Sequence, residues 1–171
     1  MRLRPPLVLA FSALLVAAAC ADDADAGERE GALRALIAED LVGSQEDGAI
    51  TFDDGQADCV AEGLMGEFGG DQLREWGYDE ETGETPEGDL TIDDGGQREQ
   101  AWDVLVDCVD VTDQITGILV AGGALDEDES RCVAERYVGS DVAAHAVFGP
   151  ADEEVNAEVD DLLETAVEAC S

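Results

Sequence analysis

Apolar residues recur every three or four positions along most of this chain, which is the spacing of one face of an α-helix. In the first such segment, Leu33, Leu36, Ile37 and Leu41 fall on one stripe. The pattern predicts helices that begin near residues 28, 51, 97, 126, 139 and 152. The predicted fold class is therefore all-α, a small helical domain.

Two of the predicted helices carry a start signal. Thr51 is followed three residues later by Asp54, and Asp126 is followed in the same way by Glu129. An oxygen-bearing side chain with an acidic residue at this spacing resembles a helix capping box. Each pair predicts the first turn of a helix.

Glycines are expected to end or bend the helices, because glycine disfavours a continuous helix. Gly69-Gly70 is expected to end the second helix and Gly122-Gly123 the third. The third helix is predicted over 97–120, with a kink or break at Gly117. Residues 79–96 are rich in glycine, proline and acidic residues and are predicted to form a long exposed loop.

The start of the chain has the pattern of an export signal. A basic start precedes an apolar stretch from Leu7 to Ala19, which is shorter than the roughly 20 residues that a membrane span needs. The segment Val16-Ala17-Ala18-Ala19-Cys20 resembles the bacterial lipobox, with Ala17 where leucine is commonest. Residues 1–19 are predicted to be a lipoprotein signal peptide and Cys20 the lipidation site. An ordinary secretory signal is the alternative.

Lipidation of Cys20 would anchor the protein to a membrane without spanning it. Each buried methylene contributes about 0.8 kcal/mol, so two acyl chains bind stably where one does not. Residues 20–30 are small and acidic and are predicted to be a flexible tether, and residues 31–171 to form the helical domain. The expected location is extracytoplasmic, on the outer face of the cell membrane.

The charge of the chain is extreme. It has 43 acidic residues, no lysine and a formal net charge of −35, and every acidic residue lies after Cys20. Such a surface repels nucleic acid and anionic lipid head groups, so neither is expected as a partner. Basic envelope proteins or divalent cations are the partners that the charge favours.

Four cysteines remain after Cys20, which in an exported domain indicates two disulfide bonds. They are Cys59, Cys108, Cys132 and Cys170. The chain has no Cys-x-x-Cys motif and a single histidine, so thioredoxin-like redox chemistry and zinc binding are not expected. No cofactor or metal is predicted.

The sequence around two of these cysteines is repeated. Thr51-Phe52-Asp53-Asp54 precedes Cys59-Val60-Ala61-Glu62, and Leu125-Asp126-Glu127-Asp128 precedes Cys132-Val133-Ala134-Glu135. Each of these segments is followed by a later cysteine on an amphipathic helix. Spacing and start signals agree, so the domain is predicted to consist of two degenerate helical repeats.

The predicted duplication bears on the disulfide pairing. The first repeat covers about 31–112 and the second about 113–171, with two cysteines in each. One bond within each repeat, Cys59–Cys108 and Cys132–Cys170, is favoured. Crossed pairing, Cys59–Cys132 with Cys108–Cys170, is the open alternative.

These motifs together are similar to a group of uncharacterised exported lipoproteins of high-GC Gram-positive bacteria. The resemblance rests on the lipobox, on paired aspartates before Cys59-Val60-Ala61, and on Asp107-Cys108-Val109-Asp110. It covers most of residues 50–138. It implies an extracytoplasmic compartment, and it implies no active-site residue.

Catalytic signals are weak in this chain. His145 is the only histidine, and neither a free cysteine nor a Gly-x-Ser-x-Gly motif accompanies it, so a catalytic triad is not expected. Carboxylate pairs are abundant, which leaves a carboxylate-dependent hydrolase as a minor alternative. The predicted function is a non-catalytic binding or structural module of unknown ligand.

Calcium binding is the second alternative. Asp53-Asp54-Gly55 with Asp58, Asp93-Asp94-Gly95, and the acidic run 126–129 place many carboxylate oxygens at turns. None follows the order of ligands in an EF-hand loop. Helix capping explains two of the three clusters without a metal.

Overall fold

The computed structural model describes residues 19–43, 50–86, 90–150 and 152–171, with side chains from residue 26 onward. These ranges contain seven α-helices and no β-strand, which confirms the all-α prediction. The part of the lipobox before Ala19 lies outside the described residues, as does the rest of the predicted signal peptide. The helices are α1 (Ala19–Gly43), α2 (Asp54–Glu75), α3 (Gly95–Cys108), α4 (Val111–Gly122), α5 (Glu127–Val138), α6 (Asp141–Phe148) and α7 (Glu153–Cys170).

Helix α1 begins earlier than the apolar pattern predicts. The segment 20–30, expected to be a flexible tether, is helical. The alanines and glutamates of this segment favour a helix, and the segment contains no proline. The helix therefore extends through it although the segment has no apolar face. Side chains from 26 to 32 are exposed, and α1 first enters the core at Leu33 and Ile37, both fully buried. None of the helices in the described ranges has a stretch long and apolar enough to cross a bilayer.

Helix α2 starts at a different cap from the predicted Thr51. The Asp53 carboxylate accepts a hydrogen bond from the Gln56 backbone N–H at 2.8 Å, and the Gln56 side chain accepts one from the Asp53 N–H at 3.0 Å. Glutamine can take the place of an acidic residue in a capping box, because its side-chain oxygen also accepts a hydrogen bond. At α5 the predicted pair is confirmed, because Asp126 and Glu129 form the same reciprocal cap.

The expectation that the second helix ends at Gly69-Gly70 is confirmed in part, because the helical backbone is interrupted at Gly69 but a second helical segment follows directly within α2. The chain bends at Gly69, where φ is +74°, and then resumes its helix to Glu75. A positive φ costs glycine little, so one residue supplies the kink. The bend places Leu73 in the core and brings the ring of Trp76 edge-on to Phe68, with centroids 4.7 Å apart.

The single helix predicted over 97–120 is two helices, α3 and α4. The break lies at Val109 and Asp110, and Gly117 is an ordinary residue of α4. Val109 is extended, and the Asp110 carboxylate accepts a hydrogen bond from the Asp113 N–H at 2.9 Å. A carboxylate that caps a new helix competes with continuation of the old one, and periodicity alone does not detect this.

The segment before α3 is partly buried, although a long exposed loop was predicted over 79–96. A turn closes where the Asp79 N–H donates to the Glu84 carbonyl at 2.9 Å. Further on, Ile92 is fully buried, and its N–H donates to the Phe148 carbonyl at 2.7 Å. This bond ties the segment to the end of α6.

The two halves of the chain use the same packing partners. α1 packs on α2 as α4 packs on α5, and a disulfide joins α2 to α3 as another joins α5 to α7. The kink of α2 at Gly69 has a counterpart at Gly139, which separates α5 from α6. α3 packs on α6, and the Trp102 indole N–H donates to the Val138 carbonyl at 3.2 Å, so the halves share one core.

Gly63 marks a close approach of α2 to α3, one turn from Cys59. A Cβ atom at this position would lie 2.5 Å from Cγ1 of Val104, and a β-branched side chain has little rotamer freedom with which to move away. Gly63→Ala is therefore expected to lower the free energy of unfolding by about 1–2 kcal/mol, although alanine is the better helix former. Urea denaturation measures the change.

Gly66 provides the matched control on the same helix, since a Cβ there meets nothing within 4 Å. Gly66→Ala is expected to raise stability by up to about 1 kcal/mol. Adding Val104→Ala should make Gly63→Ala tolerable by relieving the contact. A Gly63→Ala protein as stable as Gly66→Ala would show that the helices do not meet closely here.

Candidate functional site

The core surrounds a cavity of about 490 Å³ to which all seven helices contribute. Ligand pockets in proteins commonly have volumes of about 300–1,000 Å³ and mostly apolar walls. The lining residues are Asp40, Leu41, Ile50, Phe52, Val60, Leu64, Tyr78, Leu90, Leu105, Gln114, Ile115, Ile118, Leu119, Tyr137, Ala146, Val147, Phe148, Val159 and Leu163. Fifteen of the nineteen are aliphatic or phenylalanine side chains.

The cavity has a buried floor and an open rim. Val60, Leu64 and Leu105, from α2 and α3, are each 2% exposed. Ile118, on α4, is 45% exposed although it also lines the cavity. The apolar surface therefore continues from the interior to solvent along α4.

One wall of the cavity is fixed by a pair of hydrogen bonds between distant parts of the chain. The Gln114 side chain accepts from the Thr51 N–H and donates to the Thr51 carbonyl, both at 2.8 Å. This pair holds the segment before α2 against α4, with Ile50 and Phe52 on either side of Thr51 in the lining. Gln114 thus has a positioning role.

A buried phenol and a carboxylate meet at another side of the cavity. The Tyr78 hydroxyl, on a side chain 2% exposed, donates to Oδ2 of Asp40 at 3.1 Å. Burial raises the pKa of Tyr78, and the neighbouring Asp40 charge raises it further. The phenol therefore stays protonated and remains a hydrogen-bond donor at neutral pH.

Tyr137 supplies a second phenol to the lining, from the end of α5. Burial raises its pKa as well. Within the described residues its hydroxyl has no hydrogen-bond partner, whereas its backbone carbonyl accepts from the Ser140 hydroxyl at 2.7 Å.

The disulfides brace two walls of the cavity. Cys59–Cys108 joins α2 to α3, with Cα atoms 5.6 Å apart, and Cys132–Cys170 joins α5 to α7, with Cα atoms 5.8 Å apart. This is the pairing favoured from the sequence. Lining residues lie on all four of the bridged helices, so each bond restrains a pair of walls.

The acidic clusters considered for calcium are not brought together. Asp53, Asp94 and Asp126 each cap the start of a different helix, where the carboxylate accepts a backbone N–H. Within the part of the chain that the structure describes, no three His, Cys, Asp or Glu side chains are arranged to hold a metal ion. The half-buried His145 lies on α6 and does not line the cavity.

The sequence pattern does not reveal the cavity, because its lining residues on helices, such as Leu64, Ile115 and Val159, follow the same spacing as core residues. Asp40 and Tyr78 are 38 positions apart, and Thr51 and Gln114 are 63 apart. Only the folded chain brings these pairs together. The sequence does contain one signal of an apolar site: the stretch from Ile115 to Leu125 has no charged residue, which is unusual in so acidic a chain.

Near Tyr78, a bidentate ion pair joins the end of α2 to the loop that follows it. Arg74 donates to both carboxylate oxygens of Glu80, with Nη2 to Oε1 at 2.6 Å and Nε to Oε2 at 3.1 Å. The hydrogen bonds from Arg74 lower the pKa of Glu80. A carboxyl with a lowered folded pKa stabilises the protein above its unfolded pKa, and that contribution is lost as the pH falls through the folded value.

Glu80→Gln is therefore expected to cost about 1 kcal/mol at pH 7. The difference from the unmutated protein should shrink as the pH falls below about 4, because protonated glutamate is neutral like glutamine. Urea denaturation at several pH values measures it. Glu81→Gln, at an exposed pair with Arg29, is the control and should change little at any pH. A cost for Glu80→Gln that does not vary with pH would contradict the role given to the ion pair.

Comparison with protein-family models, with curated proteins and with solved structures finds no match to this chain.

Proposed function

We propose that this protein is a lipid-anchored, extracytoplasmic binding protein that holds an apolar ligand in its central cavity. The observation that carries the proposal is the cavity of about 490 Å³, lined almost entirely by hydrocarbon side chains and open at Ile118. Apolar walls with a few placed polar groups favour the burial of a hydrophobic ligand.

One feature supports the lipid anchor and another supports the extracytoplasmic location. The segment Val16–Cys20 resembles a lipobox, which would place a lipid on Cys20. The two disulfide bonds suit an oxidising compartment outside the cytoplasm. A binding protein held at a membrane surface would meet apolar molecules at high local concentration.

A binding role accounts for the cavity better than catalysis does. Among the described residues, Asp40 is the one carboxylate in the lining, and the two lining tyrosines, Tyr78 and Tyr137, have raised pKa values and stay neutral. General acid–base catalysis needs groups that exchange protons near the working pH. The cavity's polar groups are suited to orienting a ligand.

Binding of the neutral fluorophore N-phenyl-1-naphthylamine tests the proposal. The protein to use is the mature chain, residues 20–171, with Cys20→Ser so that no lipid competes. We expect a saturable, one-to-one rise in fluorescence with a Kd of about 10 µM, because the probe leaves water for an apolar site. Fluorescence that stays at the level of free dye up to solubility would contradict a ligand site in the cavity.

A further inference from the structure

The polar groups of the cavity are few, and they differ in whether they are already hydrogen-bonded within the protein. Among the described residues, four lining side chains carry polar atoms: Asp40, Tyr78, Gln114 and Tyr137. Both polar atoms of the Gln114 amide are used by Thr51. A ligand would therefore find its polar partners among the other three residues.

The Asp40 carboxylate can accept a further hydrogen bond or pair with a cation. Its Oδ2 accepts the Tyr78 hydroxyl, and its Oδ1 makes no hydrogen bond within the described residues. The side chain is half-buried, so the carboxylate lies between the apolar interior and water. A charge in that position interacts more strongly than one on the open surface, because the surroundings screen it less.

Among the residues that the structure describes, no cation pairs with Asp40. The chain has no lysine, and none of the described arginines lines the cavity. Three of the described arginines pair with other carboxylates: Arg34 with Glu62 at 3.9 Å, Arg74 with Glu80, and Arg131 with Asp113 at 3.0 Å. The positive partner that Asp40 lacks would have to come from a ligand.

The rest of the protein adds to this preference. With 43 acidic residues, the surface potential attracts cations and repels anions before they reach the rim. A fatty acid would bring its carboxylate toward Asp40 without an arginine or lysine to receive it. The same hydrocarbon chain with a positive head group meets a complementary charge.

We propose that the cavity binds a single-chain amphiphile with a cationic head group, with the chain among the apolar walls and the head group against Asp40. This rests on the proposed function and specifies the class of ligand. It predicts a ranking of ligands that share one chain length: the cation binds most tightly, the uncharged compound less tightly and the anion least.

Three ten-carbon probes test the ranking by isothermal titration calorimetry: decyltrimethylammonium, monodecanoin and decanoate. The protein is again the mature chain with Cys20→Ser, in about 0.15 M salt so that remote charges are screened. Tetramethylammonium, which lacks the chain, measures head-group binding to the acidic surface. The same titrations are made with Asp40→Asn and with Glu39→Gln, an exposed neighbour outside the lining.

Decyltrimethylammonium is expected to bind about fivefold more tightly than monodecanoin, and decanoate less tightly than both. Asp40→Asn should weaken binding of decyltrimethylammonium more than binding of monodecanoin and so remove most of the fivefold preference, whereas Glu39→Gln should leave the preference in place. Equal binding of the cation and the uncharged probe, or equal effects of the two substitutions, would overturn the cationic preference while the cavity remains a ligand site. Failure of all three probes to bind would overturn both proposals.

Discussion

Removing the Cys59–Cys108 disulfide by Cys59→Ala with Cys108→Ala is expected to lower the free energy of unfolding by about 3–4 kcal/mol. The bond joins cysteines with a sequence separation of 49. A cross-link reduces the conformational entropy of the unfolded chain, and the reduction grows with the length of the loop that it closes. Domains of this size are stable by about 5–15 kcal/mol, and the repulsion among 43 acidic residues reduces that margin here. The loss is therefore a large share of the total.

Urea is the denaturant of choice, because guanidinium would screen the repulsion that makes the bond important. Cys132→Ala with Cys170→Ala, at a separation of 38, is expected to cost a similar amount. It should also weaken binding of N-phenyl-1-naphthylamine, since α7 contributes Val159 and Leu163 to the cavity. A loss below about 1 kcal/mol in both variants would show that the helices hold their places without the bonds.

Ile115→Trp is expected to reduce the affinity for N-phenyl-1-naphthylamine by at least about tenfold. Ile115 lines the cavity from α4, and an indole ring there would occupy volume that a ligand needs. Overpacking costs about 1–3 kcal/mol, so thermal unfolding is measured on the same sample to show that the variant is folded. Fluorescence titration gives the change in Kd.

Val120→Trp is the matched control. Val120 lies on the same helix, is 41% exposed and does not line the cavity, so the same substitution there should leave the Kd within about twofold. A folded Ile115→Trp protein that binds the probe as tightly as Val120→Trp would place the ligand elsewhere. Equal losses in both variants would point to the exposed face of α4 as the binding surface.

Much of the helical framework could be predicted from local pattern. Periodicity located the helices because each buries one stripe, as Leu33 and Ile37 of α1 show. The break at Val109–Asp110 was missed because the apolar period continues through it, and the break depends on one cap hydrogen bond. The apolar spacing does not predict the early start of α1, because residues 20–30 are helical through the helix propensity of their side chains and have no apolar stripe.

The cavity could not be predicted from the sequence, for a different reason. Leu64, Ile115 and Val159 have the same pattern as residues that fill a core, and only the distances between helices leave space among them. The disulfide pairing was favoured in advance because each predicted repeat contains two cysteines in similar sequence settings. The meeting of Asp40 with Tyr78 depends on how α1 packs beside the loop after α2.

The central claim is that this is a lipid-anchored binding protein. Native mass spectrometry of the protein extracted from its own membrane tests it most directly. The predicted result is a chain that begins at Cys20, carries a diacylglyceryl group and retains both disulfides, together with a non-covalent adduct of a small apolar molecule. The adduct should be lost from the Ile115→Trp protein and kept by Val120→Trp. A chain without lipid on Cys20 and without any adduct would contradict the claim.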